Sequence, residues 1–373
     1  MKKCDVLITY CWNRVGYNIL KSLTQQGISV WVADTSAKNI CSLSRYVSGS
    51  FVYPDPFTQE EEFIQCLLDK IQELKPKMLL PTHDESVIIA KYRDSFPKEL
   101  VIPIDKYEQL VRLSDKEIAT QLAKEAGVPI PIVYGNKDEV KVFPMVCKTK
   151  VGNSAKGVFF PKNRQALELL ISKYGEKQVF LEEKCGGVDH SVDCIRYGKF
   201  FYASVYRALI TKTDGGGTTT QRIIVDCPRL IEYAQLLLDY VDYKGVCGLD
   251  FRYDESTGMV AFIEVNARYT GGLATPIYAG FDIPWIHYCL AMKGTFDKPI
   301  NVRIGTKTKW ILGDIITLVG RFISFKWHWS EFRQLMSFRF DGFDDFDKTD
   351  KRAIWGEMSY YFRKLVKNRK LNL

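Results

Sequence analysis

The chain has 373 residues, of which 46% are hydrophobic, 13% aromatic and 26% charged, and its formal net charge is +8. That length exceeds one typical core and implies two or three domains, while the composition excludes a disordered or low-complexity chain. Ten scattered cysteines form no C-x-x-C pair and four histidines form no H-x-x-x-H pair, so zinc modules are excluded and a reducing, cytoplasmic setting is expected.

The basic start, Met1 to Lys3, leads into an apolar run bounded by Asp5 and Asn13 that is too short for the core of a signal peptide. The first third alternates strand and helix: a strand over Val6–Tyr10, a helix from about Val15 to Gln26, a strand over Ser29–Ala33, a helix near Glu60 to Leu74, and a strand over Met78–Pro81. Such alternation indicates βαβ units and a parallel sheet, here assigned to residues 1–112. Asp34 ends the second strand as a ribose-binding acid would. The first turn, Cys11-Trp-Asn-Arg-Val-Gly16, has one glycine instead of G-x-G-x-x-G, and its bulky side chains argue against a nicotinamide or flavin site.

A second unit begins at Leu113-Ser-Asp-Lys116, where Ser114 is expected to cap a helix that runs to Ala126 and ends at Gly127. The prolines of Val128-Pro-Ile-Pro131 then enforce an extended exit. The strand Met145–Lys148 follows, then the small-residue loop Gly152-Asn-Ser154-Ala-Lys-Gly157 and the strand Val158–Phe160. Backbone N–H groups in such a loop can wrap phosphate oxygens, and a plain glycine-rich hairpin turn is the alternative reading.

Further along, Gly248-Leu-Asp250 and Phe262-Ile-Glu264-Val-Asn266-Ala-Arg268 read as two strands joined by the turn Asp254–Gly258. Period-two alternation puts Glu264, Asn266 and Arg268 on one face, within reach of Asp250 from the partner strand. Three hard oxygen donors on a rigid sheet suit Mg²⁺, which keeps water and phosphate among its ligands. The neighbouring residues Val260, Phe262, Ile263 and Val265 make that strand largely buried, and buried acids require a partner or a cation.

Beyond about Lys307 the chain turns helical, aromatic and charged. Asp314, Thr317, Arg321 and Ser324 form a polar stripe at helical spacing among Leu312, Ile315, Ile316, Val319 and Ile323, and the helix is expected to pack on the preceding body. The stretch Trp310–Phe325 contains Asp314 and Arg321 and falls short of the roughly 20 residues that a membrane span requires. Arg321 to Trp329 and the tail Arg363 to Lys370 carry much of the positive charge, so peripheral contact with an anionic membrane surface stands beside a solvated helix face. Asp341 to Asp347 lacks the ligand spacing of an EF-hand.

Taken in order, these pieces resemble the ATP-grasp superfamily of carboxylate ligases over about residues 3–300. Members of that superfamily include biotin carboxylase, the carbamoyl phosphate synthetase large chain, D-alanine ligases and D-aspartate ligases. The resemblance rests on Leu80-Pro-Thr-His-Asp84-Glu85, Ser114-Asp-Lys116, Phe143 to Lys148, the loop to Gly157, Val179 to Glu183, Asp250, and Glu264 to Arg268. It implies a mixed α/β and α+β architecture: a Rossmann-like leading domain (1–112), an ATP-grasp domain of two α+β subdomains (113–300, with its lid at about 117–185), and a C-terminal helical appendage (301–373).

The resemblance also implies roles. Lys116 and Lys148 hold ATP phosphates, with Gly152, Ser154 and Gly157 in the phosphate loop. Glu182, Glu183, Lys184 and Cys185 form the adenine and ribose hinge. Asp189 stands where Glu is usual, and Asp193 follows it. Asp250, Glu264 and Asn266 would hold Mg²⁺ or Mn²⁺, and Arg268 would face an acyl phosphate. Asp84, Glu85, Arg207 and Lys212 are the candidates to meet substrate, and the loop Lys212–Thr220 is a candidate lid. The expected activity joins a small carboxylate to an amine at the expense of ATP, in a chain free to oligomerise and with no specific nucleic-acid partner. The alternatives are a catalytically silent ATP-binding protein and a membrane or nucleic-acid binding module.

Overall fold

The computed structural model describes residues 3–150, 157–213, 216–323 and 329–368. The leading unit is a parallel sheet of β1 (Val6–Ile8), β2 (Val30–Asp34), β3 (Gly49–Val52) and β4 (Met78–Leu80), in the order β3-β2-β1-β4. Between β1 and β2 runs α1 (Arg14–Gln25), which starts where the Asn13 side chain accepts from the N–H groups of Val15 and Gly16. α2 (Glu60–Leu74) buries Phe63, Ile64, Leu67 and Ile71 on the sheet. β3 escapes the sequence reading because it is a short, half-exposed edge strand. Gly49 is required there, since a Cβ would lie 2.6 Å from the Trp31 indole.

Helix α4 (Tyr107–Ser114) leads to α5 (Lys116–Glu125). Ser114 does not cap α5 as expected. It closes α4, donating its hydroxyl to Leu110 O, and Asp115 caps α5 by accepting from the N–H groups of Glu117 and Ile118. A small antiparallel sheet follows, made of β5 (Val133–Tyr134), β6 (Val146–Thr149), β7 (Val158–Phe159) and β8 (Val179–Glu182), ordered β5-β8-β6-β7. α6 (Arg164–Tyr174) packs on it through Leu167, against Met145, Cys147 and Leu181.

The main sheet has seven strands: β9 (Val188–Tyr197), β10 (Phe200–Thr213), β11 (Gly216–Val225), β12 (Gly245–Asp254), β13 (Met259–Asn266), β14 (Lys307–Lys309) and β15 (Gly342–Phe343). Their order is β13-β12-β9-β10-β11-β14-β15. α7 (Pro228–Tyr240) covers one face with Leu230, Leu237 and Leu238 against Val192, Leu249 and Phe262. On the other side, α8 (Ala274–Ala279) and α9 (Ile283–Lys293) join the sheet to α1. In this layer His287 is buried and accepts or donates at Nδ1 to the Tyr269 hydroxyl, 2.8 Å away. Burial pushes its pKa down from 6.5 to about 4. The folded state therefore holds it neutral while the unfolded chain takes up a proton, so stability is lost as pH falls from 6.5 towards 4. A pH series of thermal midpoints should show that acid-side slope in the wild type and a smaller one in His287→Gln.

One expectation is corrected here. The Gly/Thr-rich run Lys212–Thr220 is mostly strand, with Thr211 opposite Thr219 and Thr213 opposite Gly216, because threonine favours the pleated surface even beside glycine. The C-terminal region 301–373 carries, among the described residues, three helices and also extends the main sheet, since β14 pairs with β11 and β15 pairs with β14. Its acids fasten it. Asp344 meets Arg14 and Arg222, Asp345 accepts from the first N–H groups of α10 (Ile311–Ile323), Asp347 lies 2.5 Å from Lys21, and Asp350 accepts from Ser44 and Arg45. The chain ends in α11 (Trp329–Leu335) and α12 (Lys351–Asn368). No described helix is long and apolar enough to cross a membrane.

Candidate active site

The three sheets enclose a cleft of about 380 Å³. On its floor, the β12–β13 register sets Asp250 opposite Glu264 and Gly248 opposite Asn266. Asn266 Nδ2 lies 3.2 Å from Asp250 Oδ2 and 3.5 Å from Glu264 Oε1, and Ser191, across from Asp250 on β9, donates its hydroxyl to Asp250. Burial, and after it the facing Glu264 carboxylate, push Asp250 up to about 8. Two acids held this close in a desolvated floor repel unless a proton or a cation lies between them. Among the described residues no three His, Cys, Asp or Glu side chains gather to hold a metal. The donor set is two carboxylates and an amide, which fits a hard ion that draws its other ligands from water and phosphate.

The register slips by one residue between Asp250 and Phe251, leaving Ile263 as a bulge. The Ile263 carbonyl accepts from Lys148 Nζ at 3.2 Å, and the same ammonium lies 2.5 Å from Glu182 Oε1. Lys148 and Glu182 are both buried, and burial raises the Glu182 pKa while Lys148 draws it back. Glu182, expected to offer its backbone at the adenine hinge, thus commits its side chain to Lys148. Lys116 Nζ lies 3.9 Å from Glu264 Oε2, and burial lowers its pKa.

Glu183, Lys184 and Cys185 line the next part of the cleft, and the Glu183 N–H donates to Ile132 O at 2.8 Å. Val146, Val158, Phe160 and Ile263 add an apolar part to the same cleft lining. Period-two reading outward from Lys148 offered a signal for Val146. Gly157, at φ +86, lets β7 approach Thr149, whose hydroxyl would be 2.3 Å from a Cβ. Gly152 and Ser154 lie outside the described residues.

Arg268 donates from Nε to Asp84 Oδ1 at 2.7 Å, and Asp84 Oδ2 is 3.3 Å from His83 Nδ1. Asp189 lines the cleft but is engaged by Arg252 at 2.8 Å, and Asp193 is buried and accepts from Thr270. Lys212 lines the cleft, 4.3 Å from the centre of the Trp310 ring. Three expected substrate residues do not line the cleft: Glu85, Arg207, and Asp84, which turns to Arg268. Glu85 is buried, accepting from the Thr9 hydroxyl and the N–H groups of Thr82 and His83, so it orders the β4 turn. Arg207 points to Glu255 at 3.5 Å.

The far end is built from residues that the sequence reading missed. Tyr10, Trp12 and Arg14 come from the β1–α1 turn, and Trp310, Tyr361 and Lys364 from the C-terminal region. Arg14 Nε donates to Gly271 O and Asp344 at 3.1 Å each, and its guanidinium lies 3.8 Å from the Trp310 ring centre. The pair Gly271-Gly272 was a readable signal. A Cβ on the first would meet Arg14 at 2.8 Å, and on the second the Tyr206 hydroxyl at 2.4 Å.

Residues 176–312 match the family described as ATP-grasp in the biosynthetic pathway with Ter operon. The chain has the ATP-grasp fold. Biotin carboxylase of Campylobacter jejuni, solved in a complex with a nucleotide, superposes with a TM-score of 0.66 at 14% identity, over 82% of this chain and 75% of its own. An L-amino acid ligase of Bacillus licheniformis gives 0.65 at 15% identity, covering 81% and 78%. N5-carboxyaminoimidazole synthetase of Staphylococcus aureus, solved with ADP, gives 0.62 at 16% identity, covering 82% of each chain. No curated protein matches the sequence. The ATP-grasp fold explains the two-sided cleft, with the small β5–β8 sheet lining one side and the main sheet the other.

Proposed function

We propose that this ATP-grasp chain is an ATP- and Mg²⁺-dependent ligase that activates a small carboxylate as an acyl phosphate and passes it to an amine. The convergence of Asp250, Glu264 and Asn266 beneath the cleft carries this reading. These three would hold the cation, which when bound neutralises phosphate charge during transfer. Similarity to three solved proteins, two named as ligase or synthetase and one as a carboxylase, supports it.

The adenine fits between Val146, Phe160 and Ile263, against the Glu183–Cys185 edge. Lys148, fixed by Glu182 and the Ile263 carbonyl, and Lys116, drawn to Glu264, place two ammonium charges beside the phosphates. The acid's oxygen attacks the terminal phosphorus, a new P–O bond forms, and the bond to ADP breaks. Arg268, oriented by Asp84, stabilises the acyl phosphate and then the tetrahedral oxyanion as the amine nitrogen attacks, phosphate leaves with the C–O bond and the amine sheds its proton.

A screen of amino-acid and organic-acid pairs with MgATP should give phosphate and ADP only when both partners are present. Phosphate release that no acid stimulates, together with a nucleotide-induced thermal shift, would assign the chain to nucleotide binding without ligation.

A further inference from the structure

Helix α10 is mounted inside out. Its polar side, Asp314, Thr317 and Arg321, faces the protein. Asp314 accepts from Gln221 Nε2 at 2.7 Å and lies 3.0 Å from Lys309 Nζ, while Arg321 pairs with Glu331 of α11 and donates to Thr211 O at 3.1 Å. The apolar side faces water: Ile315 is 52% exposed, Val319 49%, Phe322 68% and Ile323 71%. α11 packs beside it and adds Trp329, 64% exposed and stacked on Phe332. The sequence reading placed this polar stripe along the helix and expected the helix to pack on the preceding body, without assigning which face is turned inward.

An apolar helix face of this kind is stable only if something other than water covers it. We propose that the paired helices α10 and α11 are a docking face for an anionic lipid bilayer, lying in the plane of the membrane surface. Charge selects this occupant. The chain from 301 to 373 holds fifteen Lys and Arg against eight Asp and Glu, a net +7 of the chain's +8. On the two helices both acids are paired, buried Asp314 with Lys309 and part-exposed Glu331 with Arg321, whereas Arg333 on α11 and Arg339 just beyond it are exposed. Two copies meeting through this face would set these arginines against each other, while an anionic headgroup layer neutralises them. α10 has 13 residues, about 20 Å of helix, too short to span and suited to the interface. The proposal does not depend on the ligase reading.

The full chain should float with phosphatidylcholine vesicles that contain phosphatidylglycerol, bind pure phosphatidylcholine weakly, and be released by high salt. The Phe322→Asp/Ile323→Asp variant, whose changes lie outside the cleft, should bind about tenfold more weakly with its far-UV spectrum unchanged. Arg333→Glu/Arg339→Glu should lose the preference for phosphatidylglycerol. Binding to neither vesicle, equal binding by the Phe322/Ile323 variant, or a dimer in light scattering that this variant dissociates would overturn the assignment.

Discussion

Glu264→Ala is expected to reduce acid- and amine-dependent phosphate release by about a thousandfold, the scale of losing a main electrostatic element of a phosphoryl-transfer site. Glu264 faces Asp250, receives the Asn266 amide at 3.5 Å and lies 3.9 Å from Lys116. Its removal therefore takes away one of two carboxylates at the proposed cation position and the counter-charge of a buried ammonium. Nucleotide affinity should fall less in the absence of Mg²⁺ than in its presence, since the apolar lining and the Lys148–Glu182 pair stay intact. Glu264→Gln keeps the shape and should be nearly as impaired. Undiminished turnover in either variant would show that the acids on β12 and β13 are structural, and the proposed chemistry would need another site.

Asp344→Ala should destabilise the protein by about 3–5 kcal/mol, because it leaves two buried guanidinium groups without their shared carboxylate. Arg222 donates to both Asp344 oxygens, at 3.1 and 2.8 Å, and Arg14 reaches one at 3.1 Å; all three residues are buried. Asp341 is exposed and accepts one N–H from Lys307. Asp341→Asn should therefore cost about 1 kcal/mol or less. Urea unfolding of the two variants beside the wild type measures the difference. If Asp344→Ala loses no more than Asp341→Asn, then water or neighbouring groups compensate the two arginines and the ion triad is not what joins the C-terminal region to the body.

What was legible in the chain followed from short-range periodicity. Asp250, Glu264 and Asn266 could be placed together because strand alternation and one turn fix their register. Lys148 stood out as a charge at the end of an apolar strand. Adjacent acids were harder: Asp84 reaches Arg268 while Glu85 turns inward, and the difference is set by where α3 (Glu85–Lys91) begins. Glu182 looked like a hinge residue, but its direction depends on Lys148 from a different strand. The far end of the cleft was invisible because Trp12, Arg14, Trp310 and Tyr361 meet across some 300 residues of sequence, and no local pattern encodes such a meeting. The mounting of α10 could not be read either, since a helical stripe gives a direction only once its neighbours are known. Here Lys309 and Gln221 supply polar partners that make the unusual side the inner one.

The ion triad also sets an order for biosynthesis. Arg14 emerges from the ribosome more than three hundred residues before Asp344, so its guanidinium must wait, hydrated, until that carboxylate has been made. The cleft cannot acquire its far wall until α12, which supplies Tyr361 and Lys364, has been made, and a nascent chain released before Asp344 would leave Arg14 and Arg222 without the carboxylate that neutralises them.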